Sequence, residues 1–213
     1  METIIYLMRH ANKITGLIDE YNADDTREQK NQKRILSVKG EQQAALLSEI
    51  TVLKNINVIY SSHYTRCMGT AKYLAEKLNL KIKIDSRIGE HIFGETENGK
   101  EDFHLAHIHH DFDYRLPGGE SFNDMKIRMG EAFDTIVKWN YEKEIAIFSH
   151  ELPLICLLAN FCKTEYNLDD ELILNWNDKL SIPSRWTQPD GYKITMNEMT
   201  IINIEKIEMP FTE

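Results

Sequence analysis

Residues 3–8 of the chain read TIIYLM, and this stretch decides the fold. The run is apolar and β-forming, and apolar positions do not alternate with polar ones. A strand with one face in water shows that alternation, whereas a strand covered on both faces reads as a continuous apolar run. The stretch therefore predicts a central strand in a sheet that is covered on both sides.

Helix and strand patterns alternate after this first strand. Apolar positions at helical spacing predict a helix that begins near Ser37, and residues 56–60 predict a second strand. Residues 64–78 predict another amphipathic helix, and residues 81–84 predict a short third strand. Such alternation predicts right-handed crossovers and parallel strands.

The C-terminal half continues this series and closes it. A helix is predicted from Ser121, a strand over residues 144–149 and a buried helix over residues 152–161. Two β-type runs at 192–196 and 200–207 predict a hairpin at one edge of the sheet. We therefore predict an α/β fold, a three-layer α/β/α sandwich with a mostly parallel central sheet.

Two polar segments interrupt the pattern. The charged run over residues 19–34 predicts a solvated loop, from which Arg27 or Lys30 could reach a substrate. The irregular stretch after residue 87 contains the turn Pro117-Gly118-Gly119 and predicts a variable lid or side wall at about residues 91–119. The length of 213 residues fits a single domain over residues 1–213.

Composition limits the partners. The formal charge of −9 disfavours nucleic acid and anionic lipid. The three cysteines, Cys67, Cys156 and Cys162, are too few and too scattered for a disulfide framework and indicate a reducing compartment. The sequence shows no apolar run long enough to span a bilayer. We expect a cytoplasmic protein with neither a nucleic-acid nor a membrane partner.

Polar side chains follow three of the predicted strands. Arg9 and His10 come after the first strand, Ser61-Ser62 with Arg66 after the second, and Ser149-His150 after the fourth. Ligands bind at the carboxyl ends of strands in an open parallel sheet, so these residues should converge. Arginine forks and helix N-termini suit a phosphoryl group, which predicts an anion site here.

The same residues suggest chemistry as well as binding. A neutral imidazole is a competent nucleophile near pH 7, and a leaving alkoxide needs a proton from a nearby acid. Glu90 follows the third strand and is the best-placed acid, although other carboxylates lie near the same predicted edge.

Several motifs in this order resemble the histidine phosphatase superfamily, which includes phosphoglycerate mutases and broad-specificity phosphatases. Leu7-Met8-Arg9-His10-Ala11 resembles the signature around the nucleophilic histidine of that family. Further similar segments are residues 36–44, 60–66, 87–94, 117–121 and Ser149-His150. Single matches of this kind are weak, but their common order with strand and helix context is specific.

The resemblance implies a phosphoglycerate mutase-like fold and a two-step phosphoryl transfer without cofactor or metal. His10 would attack phosphorus, while Arg9, Arg66 and His150 would hold the phosphate oxygens. Glu90 would protonate the leaving group and then activate water, so the catalytic residues would be His10, Glu90 and His150. The expected activity is that of a histidine acid phosphatase-like phosphomonoesterase, acting as a monomer or homodimer on a small phosphorylated metabolite.

Two residues depart from the family pattern. His63 stands where proline is common, and Glu151 stands where glycine usually follows the second histidine. A carboxylate that pointed into the pocket would repel a phosphate dianion, whereas one in contact with His150 would favour its charged form. The orientation of Glu151 is therefore open at the level of sequence.

Alternative functions remain open as well. Phosphoglycerate mutase-type transfer, a phosphoprotein phosphatase and a phosphate-binding pseudo-enzyme with little turnover would all use the same anion pocket. The histidine-rich stretch from His104 to His110 offers possible metal ligands, but no cysteine accompanies it and it falls on the variable wall. We expect no functional metal there.

Overall fold

The computed structural model of the chain describes residues 2–16, 24–95 and 107–211. The helices among them are α1 (Arg27–Lys33), α2 (Val38–Leu47), α3 (Thr65–Leu78), α4 (Phe122–Trp139) and α5 (Glu151–Leu158). The strands are β1 (Glu2–Arg9), β2 (Val58–Ser61), β3 (Ile82–Ile84), β4 (Glu144–Ser149), β5 (Lys163–Tyr166), β6 (Leu172–Trp176), β7 (Leu180–Pro183), β8 (Asp190–Asn197) and β9 (Thr200–Lys206). Short 3-10 turns cover Thr51–Leu53 and Ser86–Ile88.

The central sheet has six strands in the order β3-β2-β4-β1-β8-β9. Strands β1 to β4 run parallel to one another, and the β8–β9 hairpin is added beside β1 in the antiparallel direction. This arrangement confirms the predicted α/β fold with a mostly parallel sheet. The first strand lies between β4 and β8, so its predicted central position is confirmed.

The sheet is covered on both faces, which explains why β1 is apolar at consecutive positions. Ile5 and Leu7 belong to the apolar cluster that includes α4 and α5. Tyr6 and Met8 belong to a second cluster with α3 and the end of α2. Alternate residues of a strand point to opposite faces, so two apolar layers need a continuous apolar run. The molecule has the three layers that the sequence predicts.

Helix α1 is a departure from the sequence prediction. Residues 27–33 form a helix rather than a solvated loop, so the loop prediction is wrong for that part of the run. The helix begins at a capping box, in which the Thr26 hydroxyl accepts from the Gln29 N–H and the Gln29 side chain accepts from the Thr26 N–H. None of its residues is buried, so it leaves no apolar periodicity in the sequence.

A second departure is a small antiparallel sheet of three strands in the order β5-β6-β7. Leu172, Leu174 and Trp176 alternate with less buried neighbours, and together with Ile182 they join the apolar cluster around α4 and α5. This alternation along residues 172–176 is the sequence pattern that could have predicted β6.

The predicted wall at about residues 91–119 lies partly outside the described residues. Its described ends are joined, because the Glu95 N–H donates to the Pro117 carbonyl at 2.9 Å and the Glu120 N–H donates to the Ile92 carbonyl at 2.9 Å. Gly94 has a φ of +78°, and a Cβ there would lie 2.5 Å from the Gly119 nitrogen, so this junction requires glycine. None of the described helices has the length and apolarity needed to cross a membrane.

Candidate active site

The strand ends that the sequence singles out meet at one edge of the sheet. The His10 N–H donates to the Ser149 carbonyl at 3.1 Å, and the Ser62 N–H donates to the Phe148 carbonyl at 2.9 Å. His10 and His150 are buried, and their ring centroids lie 5.3 Å apart. The parallel register of β1, β2 and β4 therefore positions these side chains.

Arg66 connects the residues at this edge. Its side chain is fully buried, and its Nε–H donates to His10 Nε2 at 3.0 Å. Its Nη2 donates to Glu90 Oε2 at 3.0 Å and lies 3.1 Å from His150 Nδ1. We call His10, Arg66, Glu90 and His150 the inner cluster. The structure thus brings together four of the five residues proposed from the sequence.

The hydrogen bonds of His10 define its tautomer. Its Nδ1 lies 2.8 Å from the Ala11 carbonyl oxygen, which can only accept, so Nδ1 carries the proton. The Nε2 atom then has a lone pair, in agreement with the N–H that it accepts from Arg66. Burial, together with the neighbouring His150 ring and the charge of Arg66, lowers the pKa of His10 well below its usual value. The ring is therefore a neutral imidazole with an available Nε2.

His150 lies between Arg66, Glu90 and Ser62. Its Nδ1 lies 3.1 Å from Arg66 Nη2, and its Nε2 lies 2.9 Å from the Ser62 hydroxyl oxygen. Burial lowers the pKa of His150 to about 4, although the nearby Glu90 opposes the shift. The 3.3 Å distance between Glu90 Oε2 and His150 Nδ1 is consequently a contact with a neutral ring and no ion pair. A dianion at this position would favour the charged ring.

Glu90 is ionised in this arrangement. Burial alone would raise the pKa of its carboxyl group, but His150 and Arg66 hold the pKa well below its usual range. Its Oε1 also accepts from the His91 N–H at 3.1 Å. The side chain keeps 20% exposure, so it can meet both the buried cluster and a ligand that enters from solvent.

Arg9, the fifth proposed site residue, lies on the wall beside the cluster and is engaged elsewhere. Its Nη1 contacts the Glu151 carboxylate and the Trp186 carbonyl, and it lies 3.3 Å from the Thr187 carbonyl. Glu151 also accepts from the Trp186 N–H at 2.9 Å. The side chain of Glu151, whose orientation the sequence left open, thus points toward Arg9. The charges of Glu151 and Arg9 neutralise each other at the mouth of the site.

Supporting residues hold the cluster in place. The Thr70 hydroxyl accepts from the Ala11 N–H at 2.9 Å and donates to the Arg66 carbonyl at 2.8 Å, which joins the end of β1 to α3. Arg66 Nη1 donates to the Asn31 carbonyl at 2.8 Å. Sequence reasoning missed Asn31, because a backbone acceptor on a polar helix leaves no signal in residue type.

The cluster opens into a cavity of about 870 Å³. One wall is α1 with the preceding Thr26 and the following Arg34, and the other includes residues 90–94 and Glu151. Lys13 is half-buried on the same wall as Arg34, because residues 12–14 pair with residues 35–37. Burial and the charge of Arg66 lower the pKa of Lys13 to about 8. Lys13 and Arg34 were not among the predicted site residues, although Lys13 follows His10 by three residues.

The inner cluster is also the group of described residues with the best geometry for a metal. Ligand atoms of His10, Glu90 and His150 lie within 4.8 Å of one another. Each of these residues already lies within hydrogen-bond distance of Arg66, whose positive charge disfavours a second cation there. The donor set therefore fits an anion better than a metal. In the histidine-rich stretch, His104 lies outside the described residues, and around His107, His109 and His110 no group of three possible ligands forms within the described part of the chain.

Relatives of the chain share the family that the motifs suggest. The family model of the histidine phosphatase superfamily (branch 1) matches residues 5–185. A protein of Salmonella choleraesuis named probable phosphoglycerate mutase GpmB is 28% identical over 163 residues, which cover 73% of each chain. The same degree of identity is found for its counterpart in Salmonella enteritidis.

Solved structures share the fold. A mycobacterial glucosyl-3-phosphoglycerate phosphatase superposes with a TM-score of 0.64 at 20% identity and covers 92% of this chain and 91% of its own. A phosphoglycerate mutase from Bacillus anthracis superposes with a TM-score of 0.66 at 18% identity and covers 97% and 92% of the two chains. The family match over most of the sequence shows that the chain belongs to the histidine phosphatase superfamily.

Proposed function

From this family membership and the inner cluster, we propose that the chain is a metal-independent phosphomonoesterase that works through a phosphohistidine on His10. One observation carries the proposal: His10 Nε2 is unprotonated, because Nδ1–H is bonded to the Ala11 carbonyl and Arg66 donates to Nε2. A buried imidazole with this tautomer has its nucleophilic atom beside a guanidinium that can hold a phosphoryl group.

In the first step, the Nε2 lone pair of His10 attacks phosphorus and the bond from phosphorus to the leaving oxygen breaks. Arg66, His150 and Arg9 bind the remaining oxygens and neutralise their charge. The Nδ1–H bond to the Ala11 carbonyl stabilises the positive charge that develops on the ring. The carboxylic acid of Glu90 gives its proton to the leaving alkoxide, which departs as a neutral alcohol.

Glu90 must be protonated for this step, although it is ionised in the free site. A bound phosphate dianion adds a negative charge beside Glu90 and takes over hydrogen bonds that Arg66 gives to it. Both changes raise the pKa of the carboxyl group. The same dianion favours protonation of His150. Substrate binding therefore sets the protonation state that the reaction needs.

In the second step, water attacks phosphorus and the bond to His10 Nε2 breaks. Glu90, now a carboxylate, takes the proton of that water, so inorganic phosphate leaves and the enzyme returns to its starting state. The charges on the phosphoryl group are met by side chains throughout, which is why we propose that no metal takes part.

The test is hydrolysis of p-nitrophenyl phosphate across pH 5–8 with EDTA present, for the wild type and for His10→Ala. We expect turnover in the wild type and a loss of about 10³-fold or more in the variant, as is usual for removal of a nucleophile. Thermal unfolding checks that the variant folds, and His110→Ala serves as a control histidine away from the cluster. Equal rates for wild type and His10→Ala would show that the mechanism is wrong, and loss of activity with EDTA would show that a metal is required.

Phosphoglycerate mutase activity is a second candidate, because the Salmonella relatives are named for it. A mutase returns the phosphoryl group from the histidine to the substrate before water reaches it. Incubation with 3-phosphoglycerate separates the two activities, since a phosphatase releases inorganic phosphate whereas a mutase forms 2-phosphoglycerate. We expect phosphate release to exceed isomerisation.

A further inference from the structure

The cavity beyond the inner cluster carries positive charge that the proposed phosphatase chemistry does not use. Lys13, Lys30 and Arg34 line it. None of these three side chains forms an ion pair with an acid among residues 2–16, 24–95 and 107–211. We call them the outer cations.

Each acid that lines the same cavity has a hydrogen-bond or ion-pair partner, and the lining holds five basic side chains against three acids. Glu28 accepts a hydrogen bond from the Tyr64 hydroxyl, Glu90 accepts from Arg66, and Glu151 pairs with Arg9. The chain as a whole has an excess of acids, 34 against 25 basic residues. Uncompensated positive charge on one wall of a cavity in such a protein creates a local potential that attracts anions.

Two of the outer cations are held partly out of water. Lys13 is half-buried, and its ammonium interacts electrostatically with Arg66, Glu90 and Arg34. The Nε–H of Arg34 is buried and has no acceptor among the described residues. Removing such groups from water without a partner is unfavourable, and a bound anion would supply the missing acceptor.

The outer cations also lie at a fixed place relative to His10. Lys13 is three residues beyond it, and the pairing of residues 12–14 with residues 35–37 brings Arg34 to the same wall. Helix α1, which carries Lys30, is tied to the inner cluster by the bond from Arg66 to the Asn31 carbonyl. One ligand can therefore meet both regions.

We propose that the substrate carries a second anionic group, either a carboxylate or a second phosphoryl group, and that Lys13, Lys30 and Arg34 bind it. This inference rests on the proposed function, since it assumes that the inner cluster holds the phosphoryl group that is cleaved. In this proposal, selectivity arises from the positive charge of the outer cations and not from recognition of a nucleobase or a peptide sequence.

The test is equilibrium binding by calorimetry of three non-hydrolysable ligands with the same four-carbon chain: butylphosphonate, 4-phosphonobutyrate and butane-1,4-bisphosphonate. In 4-phosphonobutyrate a carboxylate replaces the terminal methyl group of butylphosphonate, and butane-1,4-bisphosphonate carries a second phosphonate on that terminal carbon. We expect the wild type to bind both about tenfold or more tightly than butylphosphonate, as for a hydrogen bond to a charged group. The two ligands also distinguish the two sources of negative charge.

Variants assign the effect to the outer cations. Lys13→Met and Arg34→Gln should each bring the affinity ratio toward one, and Lys30→Met provides a change on the surface of α1 that is least able to disturb folding. Lys54→Met removes one positive charge at an exposed position outside the cavity and should keep the ratio. Equal binding of the three ligands by the wild type would overturn the proposal, as would an unchanged ratio in all three outer variants.

This design separates the second-anion site from the proposed activity. Binding of phosphonates needs no turnover. If the wild type discriminates among the ligands but hydrolyses no ester, the second-anion site is supported and the proposed function is wrong. If the wild type hydrolyses p-nitrophenyl phosphate through His10 but binds the three ligands equally, the proposed function is supported and the second-anion site is wrong.

Discussion

The two ends of the cavity hold their charges in opposite ways. In the inner cluster, the Nε and both terminal nitrogens of Arg66 have an acceptor: His10 after β1, the Asn31 carbonyl on α1, and Glu90 after the turn at Ser86–Ile88. Lys13, Lys30 and Arg34 have no ion-pair partner in the described parts of the chain, and they lie on the segment between β1 and α2. The difference indicates that anion binding at the inner cluster depends on the geometry of hydrogen bonds. At the outer cations it depends on positive charge.

The sharpest test of this comparison is the same conservative change at each end. Arg66→Lys keeps the charge but loses the planar fork that reaches His10, Glu90 and His150 together. We expect kcat/KM for p-nitrophenyl phosphate to fall by about 10²- to 10³-fold, as for loss of a transition-state donor. Arg34→Lys keeps the positive charge that Arg34 contributes to the outer cations.

For Arg34→Lys, the binding ratio between 4-phosphonobutyrate and butylphosphonate should therefore stay within about twofold of the wild type, because lysine keeps the positive charge on which this binding depends. Calorimetry measures this binding ratio for both variants, and thermal unfolding confirms that both variants fold. A large loss of the ratio in Arg34→Lys would mean that the outer wall is also geometrically exacting, and the contrast between the two ends would disappear.

Glu90 gives a test inside the inner cluster. Glu90→Gln keeps an acceptor for Arg66 but has no proton to transfer to a leaving group. An alkyl phosphate needs that proton because alkoxide is a poor leaving group, so kcat should fall about 10²-fold for glycerol 3-phosphate. p-Nitrophenolate leaves readily without protonation, so its loss should be much smaller.

The comparison of leaving groups also identifies what Glu90 does. Steady-state kinetics of the two esters with wild type and Glu90→Gln give both effects in one experiment. Equal losses for the two esters would assign Glu90 to positioning of Arg66 and remove it from proton transfer.

The inner cluster could be predicted from sequence because secondary structure positions it. A continuous apolar run identified β1 as central, and residues that follow parallel strands meet at one edge. His10, His150 and Arg66 were found in this way, and Glu90 was chosen from several acids by the same rule. Their contacts agree with the prediction, whereas their roles remain proposals that the kinetics above must test.

The outer wall could not be predicted in the same way. Helix α1 buries none of its residues, so no apolar periodicity marked it, and its stability depends on a cap and on polar contacts such as the one between Tyr64 and Glu28. The conformation of Lys13 depends on pairing with a segment more than twenty residues away. The pairing of Glu151 with Arg9 depends likewise on a loop near Trp186, which no local pattern predicts.

The pH dependence of binding gives a finer test of the outer cations. The pKa of Lys13 is lowered to about 8, so its ammonium is charged below that pH and loses its proton above it. Glu90 beside it stays ionised over this range, because the pKa of its carboxyl group is held well below its usual value. The affinity ratio of 4-phosphonobutyrate to butylphosphonate should thus decline from pH 7 to pH 9.5.

The shared phosphonate titrates over nearly the same pH range in both ligands, so its contribution largely cancels in this ratio. Because a bound anion favours the charged form of Lys13, the decline should extend above pH 8. Lys13→Arg keeps its charge at all these pH values and should hold the ratio constant. A ratio that falls equally in wild type and Lys13→Arg would assign the titration to another group.

Glu151 offers the smallest expected effect and joins the two ends of the cavity. Its carboxylate occupies Nη1 of Arg9, so a phosphate that binds Arg9 must compete with it. Glu151→Gln removes the negative charge but keeps an oxygen that accepts from the Trp186 N–H. Phosphate should then inhibit p-nitrophenyl phosphate hydrolysis with a Ki lowered about threefold to fivefold, the size of a partly exposed ion pair.

The salt dependence of that gain shows its cause. An electrostatic gain from a freed Arg9 should shrink as ionic strength rises, since exposed charges are screened over about 10 Å at 0.1 M salt. Glu171→Gln, which removes a carboxylate at an exposed position outside the cavity, should leave the Ki unchanged. If Glu151→Gln instead raised the Ki, the carboxylate would be holding Arg9 in the orientation that phosphate needs, and the residue that departs from the family pattern would support the inner cluster rather than compete with it.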